Sequence, residues 1–173
     1  MTGCTHAAAG ALAGALASHI LGHPVFGAAI GSLAAVLPDI DHPGSILGRR
    51  LRGISVLLEA LVGHRTICHT VWFALLVAAC FAAAGSWVSW LLPRAGLWWG
   101  LPALAGALSH LILDATTRTG LKPFEPLPVP GRLAHPRWLF VTGTWWQEAL
   151  LTLVFLALTL IAVGLNFRKG VIL

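Results

Sequence analysis

The chain has 173 residues, of which 57% are hydrophobic and only 10% are charged, and its mean hydropathy is +0.83. This is far more apolar than a soluble globular domain and indicates an integral membrane protein. The formal net charge of +5 would suit a nucleic-acid partner, but no basic helix or aromatic stacking platform accompanies it. We therefore expect membrane lipids as partners and no nucleic acid, and a single membrane-embedded domain over residues 1–173.

The apolar segments predict an all-α fold, an integral membrane helical bundle. They are separated by prolines, glycines and charged residues, and run over about residues 5–21, 25–37, 54–62, 66–92, 96–117 and 144–165. The segment 54–62 is too short to span a bilayer and follows three arginines, which is typical of a helix lying in the membrane interface. The remaining segments predict about four to five membrane helices.

Counting these spans places the N-terminus, the stretch 39–65 and the proline-rich connection 118–143 on one side of the membrane. That side carries eight of the 11 basic residues, namely Arg49, Arg50, Arg52, Arg65, Arg118, Lys122, Arg132 and Arg137. The other side carries three, Arg94, Arg168 and Lys169. Positively charged loops remain in the cytoplasm, so the richer side is predicted to be cytoplasmic.

At helix starts or ends on this side lie five of the eight histidines and three of the six acidic residues. They are His6, Asp39, Asp41, His42, His64, His69, His110 and Asp114. Ionisable groups are costly at membrane depth unless something binds them, and imidazole with carboxylate is a ligand set for zinc, manganese or iron. Eight groups exceed what one tetrahedral ion needs, so we expect two divalent ions, zinc first, bridged by a carboxylate such as Asp114 or Asp41.

Several members of this set also have a simpler interpretation. His110 and Asp114 are four apart on one helix face and could form a hydrogen-bonded pair that joins two helices. Asp39 and Asp41, beside Pro38, could be turn residues. The simpler readings become less attractive together, because each would independently place a costly polar group at the same depth.

Four sequence stretches resemble a known family. They are LPDIDHP from Leu37, SILGRR from Ser45, GHRTICHT from Gly63 and SHLILD from Ser109, the last followed by Thr117 and Gly120. In this order they resemble the YdjM-type family, described as LexA-regulated, inner-membrane-bound, metal-dependent hydrolases. The resemblance covers about residues 6–126, and Glu148 also looks like a family glutamate.

The resemblance implies a multi-span helical protein of a bacterial or archaeal inner membrane, whose presumed metal ligands are the eight residues named above. One departure is Cys68-His69-Thr70, where the family more often has Thr-His-Ser. The order of the ligands is also loosely similar to that of the all-helical zinc phospholipase C and P1 nuclease superfamily. That similarity points to phosphoester cleavage.

These observations lead to a metal-dependent hydrolase at the cytoplasmic membrane face, acting on a phosphoester of a lipid or lipid-linked substrate. The expected catalytic residues are Asp41, Glu148 and Arg65: Glu148 or an Asp outside the metal shell as general base, and Arg65 as a phosphate ligand alongside Arg49 and Arg50. Alternatives are a lipid amide hydrolase of the ceramidase type, and a non-catalytic metal-binding protein or metal transporter. The residues Val71–Leu91 hold no histidine or carboxylate, which argues against a transport path.

Overall fold

The structure is a computed structural model that describes residues 1–63, 66–117, 120–127 and 143–168. The predicted all-α class is confirmed. The helices are α1 (Gly3–His19), α2 (Pro24–Val36), α3 (Ile46–Arg50), α4 (Arg52–Val62), α5 (Val71–Val88), α6 (Gly100–Ala115) and α7 (Trp145–Arg168). Short 3-10 turns cover Pro38–Asp41, Ile67–His69 and Leu97–Trp99. Among these described residues, three stretches are long and apolar enough to cross a membrane, Pro24–Asp41, Val71–Val88 and Trp145–Asn166.

The helix α5 begins later than its hydropathy alone suggests. The Thr70 hydroxyl accepts the Phe73 N–H at 3.2 Å and so caps the first turn of this helix. The same hydroxyl donates to the Ile67 carbonyl at 2.8 Å. His69 therefore lies in the 3-10 turn before α5, at the end of the bundle, and not on the transmembrane helix itself.

Three helices meet through glycine at the centre of the bundle. A Cβ atom on Gly31 of α2 would collide with the Gly10 carbonyl of α1, and one on Gly106 of α6 would collide with the Gly31 carbonyl. In lipid, close backbone approach of this kind is a main source of helix association, because apolar side chains gain little by leaving other hydrocarbon. The contact fixes α2 between α1 and α6, and thereby fixes the turn Pro38–Asp41 that follows α2.

The last helix is attached to the first by polar contacts near both of its ends. Thr5 and Thr152 share a hydroxyl hydrogen bond of 3.2 Å, and the Asn166 amide donates to the His19 carbonyl at 3.2 Å. Polar groups within a bilayer need such partners because water is absent there. These contacts hold the start of α1 at the same end of the bundle as the turns that carry Asp39 and His69.

The helix α4 has the amphipathic character that the sequence predicts for this stretch. Ser55 is fully buried, whereas Ile54, Leu57 and Leu61 are between 51% and 71% exposed. These three positions recur at helical spacing, so one face of α4 is apolar and unpartnered within the described part of the chain. Such a face is typical of a helix that lies in the plane of the membrane interface.

Candidate metal site

Five ionisable side chains from four elements converge at one end of the bundle. They are His6 of α1, Asp39 of the turn after α2, His69 of the turn before α5, and His110 and Asp114 of α6. All are fully buried except Asp39, whose side chain is 15% exposed. Two groups of three have ligand atoms within 4.8 Å of one another: His6, Asp39 and His110, and His69, His110 and Asp114.

Three of these atoms are spaced as the ligands of a single ion would be. His69 Nε2 lies 3.2 Å from His110 Nε2 and 3.5 Å from Asp114 Oδ2, and His110 Nε2 lies 3.8 Å from Asp114 Oδ2. Ligand atoms bound at about 2.0–2.1 Å to a tetrahedral zinc ion are separated by about 3.3–3.4 Å. The two histidines and Asp114 therefore fit a divalent ion with only small adjustments. Asp39 Oδ1 lies beside them, 3.6 Å from His69 Nε2 and 3.7 Å from His110 Nε2, but Asp39 and Asp114 share no group of ligand atoms.

A backbone hydrogen bond fixes the tautomer of His110. Its Nδ1 lies 2.7 Å from the Ala35 carbonyl oxygen, deep in the bundle. Because a carbonyl only accepts, Nδ1 must carry the hydrogen, and Nε2 of the neutral ring then presents a lone pair towards His69. Metal-binding histidines commonly donate their other ring N–H to a backbone carbonyl or a carboxylate in this way.

His69 is oriented by Asp41. The carboxylate Oδ2 of Asp41 lies 3.4 Å from His69 Nδ1, and both side chains are fully buried. Burial opposes the charged form of His69, but hydrogen bonds to Asp39 and Asp41 raise its pKa to about 9. In the metal-free protein, protonated His69 donates from Nε2 towards His110, whose Nε2 is an acceptor. A bound metal ion would take the place of that proton.

Asp114 faces histidines with both of its oxygens. Oδ1 lies 3.4 Å from His6 Nε2, while Oδ2 faces His69 and His110. The His6 ring stacks on the His110 ring with centroids 3.8 Å apart. The two oxygens of Asp114 therefore face different neighbours, Oδ1 towards His6 and the Met1 ammonium group and Oδ2 towards His69 and His110.

The remaining predicted site residues occupy other places. Asp41 lies behind His69 and belongs to neither group of ligand atoms, and His42 is exposed and also belongs to neither. Glu148, predicted as a general base, accepts the Thr2 N–H at 2.8 Å and the Gly143 N–H at 2.9 Å. It thereby anchors the start of α1. His64 and Arg65 lie outside the described residues.

A cavity of about 590 Å³ opens onto the cluster. Asp39 and Asp114 line it directly, so two carboxylates of the cluster face open space. Its other walls are the N-terminal residues Met1–Cys4, which include the start of α1, and the stretch from His42 to Arg49. Sequence reasoning did not identify the α1 wall, and the position of His6 near the start of α1 was the only available indication of it.

Comparison with known proteins identifies relatives over most of the chain. The family model described as YdjM inner membrane protein matches residues 1–170. A protein of Bacillus subtilis (strain 168) named YvsG is 35% identical over 134 residues, which cover 77% of this chain and 78% of that protein. The inner membrane protein YdjM of Escherichia coli (strain K12) is 36% identical over 94 residues, 54% of this chain and 46% of that protein. No solved structure matches.

His110 is the one residue that both ligand groups share, so its replacement should remove the metal. We expect His110→Ala to lower the metal bound per chain to about a tenth or less, since even loss of an outer-shell partner weakens metal sites by about 10–100-fold. Elemental analysis of the purified variants measures this. The matched variant His42→Ala, exposed and outside both groups, should retain the wild-type content. Equal loss in both variants would contradict the assignment of His42 outside the metal shell.

Because of the raised pKa of His69, the stability of the metal-free protein and its affinity for metal should change with pH in opposite directions. It is raised from an ordinary value of 6.5 to about 9, so the proton stabilises the metal-free fold below pH 6.5 and this contribution is lost as the pH rises through 9. A metal ion must displace the proton, so metal affinity should rise over the same range, by about tenfold per pH unit for one proton released. Thermal unfolding of metal-stripped protein and metal titration measure the two trends. Metal-free stability that increased between pH 6.5 and 9 would contradict this assignment.

Proposed function

The chain belongs to the family of YdjM inner membrane proteins, and from this premise we propose that it is a metal-dependent hydrolase. Its substrate is a phosphoester in a lipid or lipid-linked molecule. One observation carries the proposal: Asp114, one of the three residues spaced for one ion, and Asp39 beside it line a cavity of about 590 Å³. Structural metal sites are closed by four protein ligands, whereas catalytic sites keep a position open for water or substrate. An ion held by His69, His110 and Asp114 would keep its fourth position open to the cavity.

The donor set favours zinc, with manganese or iron as alternatives that accept the same ligands. His69, His110 and Asp114 account for one ion. His110 cannot serve two ions, because its Nδ1 is engaged by the Ala35 carbonyl. The second ion expected from the sequence would need His6 and further ligands. The ratio of metal to protein distinguishes one ion from two.

A divalent ion bound here supplies a water of lowered pKa and polarises a phosphoryl oxygen. The protein's own residues hold and orient this centre. Asp41 keeps the His69 ring in place and the Ala35 carbonyl does the same for His110. Neither Asp41 nor Glu148 lines the cavity of the metal site. Of the two carboxylates that line it, Asp39 is more exposed than Asp114, so we assign the role of proton acceptor to Asp39.

A lipid substrate is supported by the position of the site. The cluster lies at the end of a bundle with three helices suited to crossing a membrane, and α4, with its exposed apolar face, follows the cavity wall in sequence. A molecule anchored in the bilayer can therefore present its headgroup at the cavity. We further propose that this end is cytoplasmic, supported by the eight basic residues on its side of the sequence against three on the other.

Hydrolysis can be tested on the purified protein in detergent. Zinc-loaded protein offered phospholipids, lipid-linked phosphates and ceramide should release products of phosphoester cleavage, chelation should abolish turnover and added zinc should restore it. Asp114→Ala should lose the metal and at least about a hundredfold in turnover, because a metal contributes several kcal/mol to such reactions. Arg94→Gln, at the opposite end of the bundle, should match the wild type. Retained turnover without metal would refute metal catalysis, and cleavage of ceramide alone would favour an amide hydrolase.

The orientation can be tested through Cys4, which is exposed and lines the cavity. In a chain whose Cys68 and Cys80 are replaced by alanine, a membrane-impermeant maleimide should label Cys4 in inverted vesicles and leave it unlabelled in spheroplasts. A cysteine introduced by Arg94→Cys into a cysteine-free chain should give the reverse pattern. Labelling of Cys4 in intact spheroplasts would show that the site faces outwards.

A further inference from the structure

Three arginines stand close together where α3 meets α4, but they differ in what they face. Arg49, Arg50 and Arg52 are all exposed at the surface. Only Arg49 lines the cavity that also contains Asp39 and Asp114. The sequence does not separate Arg49 from Arg50, whereas the structure places one of them at the metal site and the other away from it.

The backbone holds Arg49 in a fixed relation to the metal ligands. The Ser45 hydroxyl donates to the Asp39 carbonyl at 2.8 Å and accepts the Gly48 N–H at 2.8 Å, so it joins α3 to the turn that carries Asp39. Gly48 packs so closely that an added Cβ would collide with the His42 carbonyl. Arg49 follows Gly48 directly. Its Cα position is therefore determined by the same turn that positions a ligand carboxylate.

The guanidinium of Arg49 is available to a ligand. It forms no ion pair within the described part of the chain. Asp39 and Asp114 line the same cavity, but their carboxylates face the histidines. A planar guanidinium matches the oxygens of a phosphate in a bidentate pair, which an ammonium group cannot do. A phosphate held by Arg49 would lie in the same cavity as the proposed ion.

The membrane interface explains why the phosphate would belong to a lipid. The exposed apolar residues Ile54, Leu57 and Leu61 of α4 place the adjoining α3 at the level of the headgroups. We infer that Arg49 is a specificity-determining residue that binds the phosphate of a lipid whose acyl chains remain in the bilayer. This inference rests on the proposed hydrolase function, and it adds the residue that selects phosphate-bearing lipids over uncharged ones.

Binding can be measured separately from turnover. Zinc-loaded protein in a neutral detergent is titrated by calorimetry with dihexanoyl phosphatidic acid and with dihexanoylglycerol, which lacks the phosphate. Wild-type protein should bind the phosphatidic acid at least about tenfold more tightly, and Arg49→Gln should remove this preference, since a charge-assisted pair contributes an effect of that order. Arg49→Lys should restore it only in part, because it keeps the charge but not the planar fork.

The matched control is Arg50→Gln, one residue further along, which should change binding by less than about twofold, as an exposed charge outside the cavity does. Zinc content and thermal unfolding should be unchanged in all three variants, so a folding defect would be recognised. The inference is overturned if wild-type protein shows no preference for phosphatidic acid, if Arg49→Gln keeps the preference, or if Arg50→Gln loses it equally. Arg49-dependent binding without hydrolysis would refute the proposed function alone, and hydrolysis that is indifferent to Arg49 would refute this inference alone.

Discussion

The site depends on one hydrogen bond between two helices, from His110 Nδ1 of α6 to the Ala35 carbonyl of α2. One helical turn earlier on each helix, Gly31 and Gly106 meet at backbone contact. Four residues after Ala35 and His110, Asp39 in the turn beyond α2 and Asp114 on α6 both face His69. The two segments therefore run in the same direction and stay in register at steps of four residues. The glycine contact brings the helices close enough for the histidine bond, and the register then places both carboxylates at one level.

The same arrangement offsets the free-energy cost of burying the two carboxylates. Two carboxylates removed from water are unfavourable unless positive charge is close to both. In the metal-free protein the proton on His69 supplies part of that charge, which is why hydrogen bonds to Asp39 and Asp41 hold its pKa near 9. A divalent ion would balance Asp39 and Asp114 completely. The cluster is thus better suited to a metal ion than to the proton that substitutes for it.

Much of this organisation follows from local sequence patterns. Hydropathy and prolines predict the helices, and the spacing of four between His110 and Asp114 predicts that they share a face. The sequence does not predict which of Asp39, Asp41 and His42 faces the metal ligands, which one supports His69 and which one is exposed. Asp39 and Asp41 lie in a 3-10 turn, where each residue rotates the side chain direction by about 120°, so these two carboxylates face different ways. Asp39 faces the ligand atoms and Asp41 supports His69 from behind. His42 follows the turn in extended backbone and is exposed.

Individual hydrogen bonds explain the other differences. Glu148 is 146 residues from Thr2, whose N–H it accepts, and no local pattern indicates that contact. The placement of His69 before α5 follows from the Thr70 cap, which a hydropathy profile does not register. In both cases hydrogen bonds, and not hydropathy, place the ionisable side chain.

The distribution of histidines and carboxylates along the bundle indicates which molecules reach the site. The helix α5 runs over 18 residues without a histidine or carboxylate, and a transported cation would need coordinating groups along its path. All five clustered ligands instead lie at one end, beside a cavity bordered by α3. An ion in that position would stay in place while other molecules come to it. Because α4 presents its apolar face next to the same cavity, the molecules that reach it most readily are those already in the membrane.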